Sequence, residues 1–226
     1  MTRRRQTIPT IHISLGKGKD AKTMVMSFAT SKKRRKLDHT EWDRDESIGK
    51  FQRYLSRRDI EGLEAATDAL IRLDCLGDAL KDCLKGQRPN LRKVESLLLL
   101  WNARGLWTIP RTLKRDLFLF TDAIRYFAPQ FTGDGLTLYR GQSRIRHENG
   151  IYGLAWTSRY EIAEQFSTLR DSPGIVVKVD ASQDMIVVRV RDHISTRKTD
   201  PANELENEDE YLLDPRKLVG SVTAVH

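Results

Sequence analysis

Cysteine is nearly absent: Cys75 and Cys83 are the only two in 226 residues. Two thiols build neither a disulfide framework nor a cysteine-rich zinc site, which fits a chain working in a reducing, cytoplasmic compartment with both sulfurs as small core groups. Long hydrophobic runs are missing as well. The longest, residues 97–101 (Leu-Leu-Leu-Leu-Trp), falls far short of the roughly 20 residues that a membrane span needs, so no membrane partner is expected. The amino terminus lacks the apolar segment of a secretory signal, because Arg3-Arg4-Arg5 is followed by Gln6-Thr7-Ile8-Pro9 and then by a stretch rich in Lys and Gly. That stretch is no phosphate loop either, since Gly16 and Gly18 lack the second Gly followed by Lys-Ser/Thr after four residues. The five histidines show no ligand spacing, and no metal is expected.

What is present suits a folded domain: 39% of the residues are hydrophobic and 31% charged, enough of the first for a core and too few of the second for a disordered chain. The charge is uneven. Residues 1–40 hold eleven Lys and Arg against Asp20 and Asp38, while the whole chain carries a net +8, so the body is close to neutral. A polycationic arm attracts polyanions by releasing their counterions, which makes nucleic acid the first candidate partner for it. A merely solubilising tail is the open alternative.

Three regions separate on pattern. In a basic N-terminal arm, residues 1–46, alternating Ile8, Ile11 and Ile13 predict a short strand over 7–14, paired with a second over 23–29 across Gly16-Lys17-Gly18. Residues 47–130 read as helical. Leu63, Ala66, Leu70, Leu73, Leu76, Leu80 and Leu84 recur at three- and four-residue steps between Asp59 and Gly86, which predicts one amphipathic helix. A second is expected from an Asn90 cap to Gly105, and a third over 113–128, ended by Pro129. From 131 to 226 short apolar segments alternate with turns, predicting strands over 136–140, 174–180, 185–190, 209–213 and 219–225 and a helix over 160–169. Helices at one end and strands at the other indicate an α+β architecture.

Three polar clusters stand at strand ends or beside turns in the last region: Tyr139-Arg140-Gly141, Trp156-Thr157-Ser158, and Glu208-Asp209-Glu210-Tyr211. Each has a plain reading, as a surface strand residue, a helix cap and a solvated loop. Their order adds another. An Arg-Gly closing a strand, a Thr-Ser pair opening a helix that contains Phe166, and a Glu-x-Glu before an apolar strand together make residues 134–226 resemble the NAD-dependent mono-ADP-ribosyltransferases of the Arg–Ser–Glu type. That resemblance implies a split, mixed β-sandwich around an NAD cleft, with NAD consumed as a co-substrate.

By the same resemblance, Arg140 would hold the NAD phosphates, and Gly141 would let the backbone approach the nicotinamide amide. Thr157 and Ser158 match the last two residues of a Ser-Thr-Ser motif whose first position is Trp156; Ser158 would lie near the nicotinamide ribose and orient the glutamate. Phe166 matches the aromatic that stacks on nicotinamide, with a core phenylalanine as its alternative. Glu210 matches the catalytic glutamate and Glu208 the first acid of Glu-x-Glu. On a strand, Glu208 and Glu210 would share one face while Asp209 points away. Only seventeen positions separate Arg140 from Thr157, a short connection that leaves little room for a helix and predicts a cleft that is open or capped by the helical region.

Glu-x-Glu suggests a protein arginine as acceptor, because a second carboxylate can hold a guanidinium. The basic arm favours RNA or DNA nearly as strongly. Small transferases of this kind often act as toxins or as phage-encoded host-modifying or defence factors, an expectation that rests on the resemblance. Two other readings stay open: a non-catalytic nucleic-acid-binding protein that uses its arm, and an NAD glycohydrolase with water as acceptor.

Overall fold

A computed structural model of the chain describes residues 10–15, 22–27, 41–85, 89–104, 117–168, 173–194 and 208–225. The chain falls into two compact units, Met1–Lys36 and Leu37–His226. In the first, β1 (Thr10–Leu15) and β2 (Lys22–Ser27) pair antiparallel, with Thr10 opposite Ser27 and Leu15 opposite Lys22. This is the hairpin that the isoleucine alternation predicts, with bounds moved by a few residues.

The second unit opens with helices. In α1 (Arg44–Arg57) the Asp43 carboxylate accepts from Glu46 N at 2.8 Å, satisfying an N–H that the helix itself leaves unpaired. Asp59 caps α2 (Ile60–Arg72) in the same way, accepting from Gly62 N at 3.0 Å. Where the leucine spacing predicts one helix to Gly86, the chain forms two, because Asp74 takes a left-handed backbone (φ 52) and α3 (Leu76–Cys83) starts afresh beyond it. The stripe survives the turn, with Leu63, Leu70, Leu76 and Leu80 all buried, so the spacing held no sign of the break. Both cysteines are buried in this layer as free thiols. Asn90 accepts from Lys93 N at 3.1 Å at the head of α4 (Leu91–Arg104), and α5 (Leu117–Phe127) stops before Pro129. The expected ends at Gly86 and Gly105 and the start at 113 lie outside the described residues.

Then come β3 (Leu136–Ser143), the short α6 (Arg144–Glu148), β4 (Ala155–Thr157), α7 (Tyr160–Thr168), β5 (Gly174–Ala181), β6 (Ile186–Arg189), β7 (Glu210–Leu213) and β8 (Val222–Ala224). The strands form one six-stranded sheet in the order β6-β7-β4-β3-β5-β8. The α+β class is as expected. The strand sense is not: every described pairing is antiparallel, where a mixed sheet is implied by the resemblance. A parallel pair needs a crossover that returns the chain to the same end, and no neighbours in this sheet are joined that way.

Pairing within the sheet is lopsided. β3 and β5 pair along their whole length, from Leu136 opposite Ala181 to Ser143 opposite Gly174, and β4 pairs with β7 throughout. Between β3 and β4 the register is a single pair, Tyr139 opposite Thr157. The sheet is therefore two halves, β6-β7-β4 and β3-β5-β8, joined at one point. Side chains alternate across it. Leu138, Trp156, Val177, Val179, Tyr211 and Leu213 form a core on one face. Leu212, Val187 and Val188 join the helical core on the other, where a bulge between Ile186 and Val188 turns two consecutive valines toward the helices. Helices and sheet thus share one hydrophobic interior within Leu37–His226, across the boundary near 130 that the pattern suggests.

Candidate active site

Glu210 opens β7, and alternation places its side chain on the face of Leu212, beneath the helical layer. There the Trp101 indole, in the last turn of α4, donates its Nε1–H to Glu210 Oε1 at 3.0 Å. Both residues are buried, at 4% and 8% exposure. Loss of hydration disfavours the charged carboxylate and pushes its pKa from 4.5 up to about 7; the Trp101 hydrogen bond lowers it, Glu208 raises it further and Arg140 lowers it. So the Arg140 guanidinium and the Glu208 carboxylate both act electrostatically on Glu210.

Thr157 sits directly opposite Glu210, and Tyr139 directly opposite Thr157. At a strand spacing of about 5 Å, this row crosses the junction of the halves in about 10 Å on one face. Tyr160, at the head of α7, packs edge-on against Tyr139 with ring centroids 5.6 Å apart.

The Thr157-Ser158 pair braces the turn before Glu210. Thr157 Oγ1 donates to the Glu208 carbonyl and accepts from Arg159 N at 3.1 Å. Ser158 Oγ donates to Asp209 Oδ2 at 2.5 Å. Asp209 also accepts from Arg189 Nε at 2.9 Å, and Arg191 Nη1 lies 3.4 Å from the same oxygen. Here the strand alternation expected of Glu208 and Glu210 gives way. Asp209 has a left-handed backbone (φ 43) and β7 begins only at Glu210, so Glu208 is helical and lies before the turn rather than on the strand. Asp209, expected on the other face from the two glutamates, is at 9% exposure and ion-paired with Arg189. Ser158 thus holds the residue before the glutamate, where the resemblance places it on the glutamate.

Arg140 is held at the junction. Its Nη1 donates to the Ala155 carbonyl and its Nε to Gln142 Oε1 at 3.3 Å. The guanidinium passes so near Gly153 that a Cβ there would lie 2.7 Å from Nη2. Gln142, at 4% exposure, has its Nε2 without a hydrogen-bond partner. Gly141 answers to a close approach, and the group that approaches is α7: a Cβ would fall 2.0 Å from the Ala163 carbonyl oxygen and 2.4 Å from Ser167 N. Phe166 is half-buried on the same turn of α7.

The structure therefore brings Thr157, Glu210 and Trp101 together on the helical face of the sheet, with Ser158 bracing the turn before the glutamate, while Arg140, paired with Val177, starts from the opposite face of β3 and acts on Glu210 through its charge. Trp101, Asp209 and Arg189 are additions that the sequence reading did not make. Trp101 stands 109 positions from its partner in a leucine-rich helix that reads as core, and no local motif marks it. A buried carboxyl poised near neutrality and held by an indole N–H can stabilise developing positive charge or move a proton. No protein-family model, curated protein or solved structure matches this chain.

Proposed function

We propose that the protein is an NAD-dependent mono-ADP-ribosyltransferase. The observation that carries the reading is Glu210: a buried carboxyl directly opposite Thr157, one strand from the junction of two half-sheets, under the charge of Arg140 and braced by the Thr157-Ser158 pair. The one-pair junction between β3 and β4 supports the split cleft that the family resemblance implies.

In this reading Arg140 holds the diphosphate of NAD through its planar donor fork, and the Glu210 carboxylate faces the nicotinamide ribose. The bond from the ribose C1′ to the ring nitrogen breaks, its electron pair neutralises the departing nicotinamide, and the sugar passes through an oxocarbenium-like state. One fixed carboxylate at that charge lowers the barrier by about 3 to 4 kcal/mol. The acceptor nucleophile closes the new bond at C1′ and loses a proton to Glu208 or to solvent.

A protein arginine ranks first as acceptor because Glu208 lies beside Glu210. RNA or DNA follows closely, favoured by the eleven basic residues among the first 40. The same charge supports a second reading, a nucleic-acid-binding protein without catalysis. Labelled NAD offered with separate pools of protein, RNA and DNA tests both. Label in one pool, lost in Glu210→Gln, supports transfer and names the acceptor; free nicotinamide without a labelled polymer identifies a glycohydrolase. Intact NAD with every pool rejects the enzyme reading.

A further inference from the structure

Among the described residues the Glu210 carboxylate has one hydrogen-bond partner, the Trp101 indole, and that bond engages Oε1 alone. The donor is rigid and neutral. Its ring is held against Phe120 of α5 with centroids 5.6 Å apart, and both rings belong to the shared helical core. Around the carboxylate stand the neutral indole from α4 and Thr157 from β4, directly opposite it, and the charges that act on it are Glu208, two residues before it, and Arg140 of β3.

We propose that Trp101 is a positioning residue, its indole N–H fixing Oε1 so that Oε2 is the oxygen presented to the ribose of the bound dinucleotide. The proposal rests on the ADP-ribosyl transfer reading and adds a function for the helical layer, which supplies the donor that orients the acid. A donor to the ionised form favours that form. Removing it therefore moves ionisation of Glu210 to higher pH and lowers the chemical step, while the affinity for NAD, held elsewhere by Arg140, stays.

The full chain is compared with Trp101→Phe, Trp101→His and Glu210→Gln. In nitrogen–proton spectra across neutral pH, the indole signal that is missing from Trp101→Phe is expected to shift with a midpoint near 7 in the wild type and to stay flat in Glu210→Gln. In NAD cleavage, Trp101→Phe is expected to lose about tenfold in kcat at unchanged KM, with its acid limb raised by about one pH unit, and Trp101→His, which keeps an N–H, to recover part of the loss. An indole signal that does not titrate overturns the proposal even where Trp101→Phe fails to fold. A fall in kcat with the pH limb unmoved assigns Trp101 to the core and overturns it too. A titrating indole in a protein that never cleaves NAD leaves the contact standing and refutes the transferase reading, and with it the role toward ribose.

Discussion

Ser158 and Asp209 are 51 positions apart in the chain, and the Ser158 hydroxyl donates to the Asp209 carboxylate. The bond fastens the head of α7 to the turn from which Glu210 enters its strand. Asp209 holds a left-handed backbone there (φ 43), a conformation that costs an L residue about 1 kcal/mol. The hydroxyl and the Arg189 guanidinium, 2.8 Å away, offset that cost.

Removing the acceptor is therefore expected to cost more than the bonds alone. Asp209→Ala should lower the free energy of unfolding by about 2 kcal/mol, read from urea denaturation. Asp209→Asn, which tolerates the left-handed turn and keeps one acceptor oxygen, should lose about half of that. Equal losses in the two variants would show that the turn does not depend on this carboxylate.

Glu210 gives stability a pH dependence of known sign. Its carboxyl ionises near 4.5 when unfolded and near 7 in the fold, so between these values the folded state binds the extra proton. Stability then falls as pH rises through that window, by about 3 kcal/mol at about 1.4 kcal/mol per pH unit, and is level above it. Glu210→Gln lacks the titrating proton. The difference in unfolding free energy between wild type and Glu210→Gln should close or reverse from pH 8 to pH 4, and a constant difference would contradict the buried carboxyl.

Gly141→Ala puts a methyl 2.0 Å from the Ala163 carbonyl. The obstacle is helix backbone, which cannot rotate away, so α7 must shift off β3. A loss of about 3 kcal/mol is expected, visible as a lower midpoint in thermal unfolding. An unchanged midpoint would mean that α7 does not pack on this strand.

Arg140→Lys replaces a planar fork with a point charge that cannot reach both the Ala155 carbonyl and Gln142. In the proposed transfer reaction Arg140 binds rather than reacts, so the KM for NAD should rise about tenfold with a smaller change in kcat. A drop in kcat at constant KM would place Arg140 in the chemical step instead.

Periodicity and capping made much of this architecture legible. Asp59 and Asn90 announce helix starts because a short acceptor side chain before an apolar stripe has one local use. The β-rich end shows in its valines and isoleucines. What escaped is what distance in sequence hides. The turn at Asp74 leaves the leucine spacing intact, and β4 is only three residues long. The left-handed Asp209 looks in sequence like the middle of a strand. Thr157 and Glu210, which the sheet sets directly opposite each other, could be named from short motifs, whereas Trp101 reads as one more apolar residue in a leucine run, and only its place in three dimensions gives its N–H a partner.

Phe120 and Ile124 of the helices and Val188 and Leu212 of the strands occupy one interior. A chain severed between residues 128 and 131 would leave two fragments, each with a raw oily face, and each would aggregate before it could work. The segment that bears the acid is thus no portable cassette: transplanted without its first half, it would arrive with Glu210 open to water and its acidity reset toward that of an ordinary side chain.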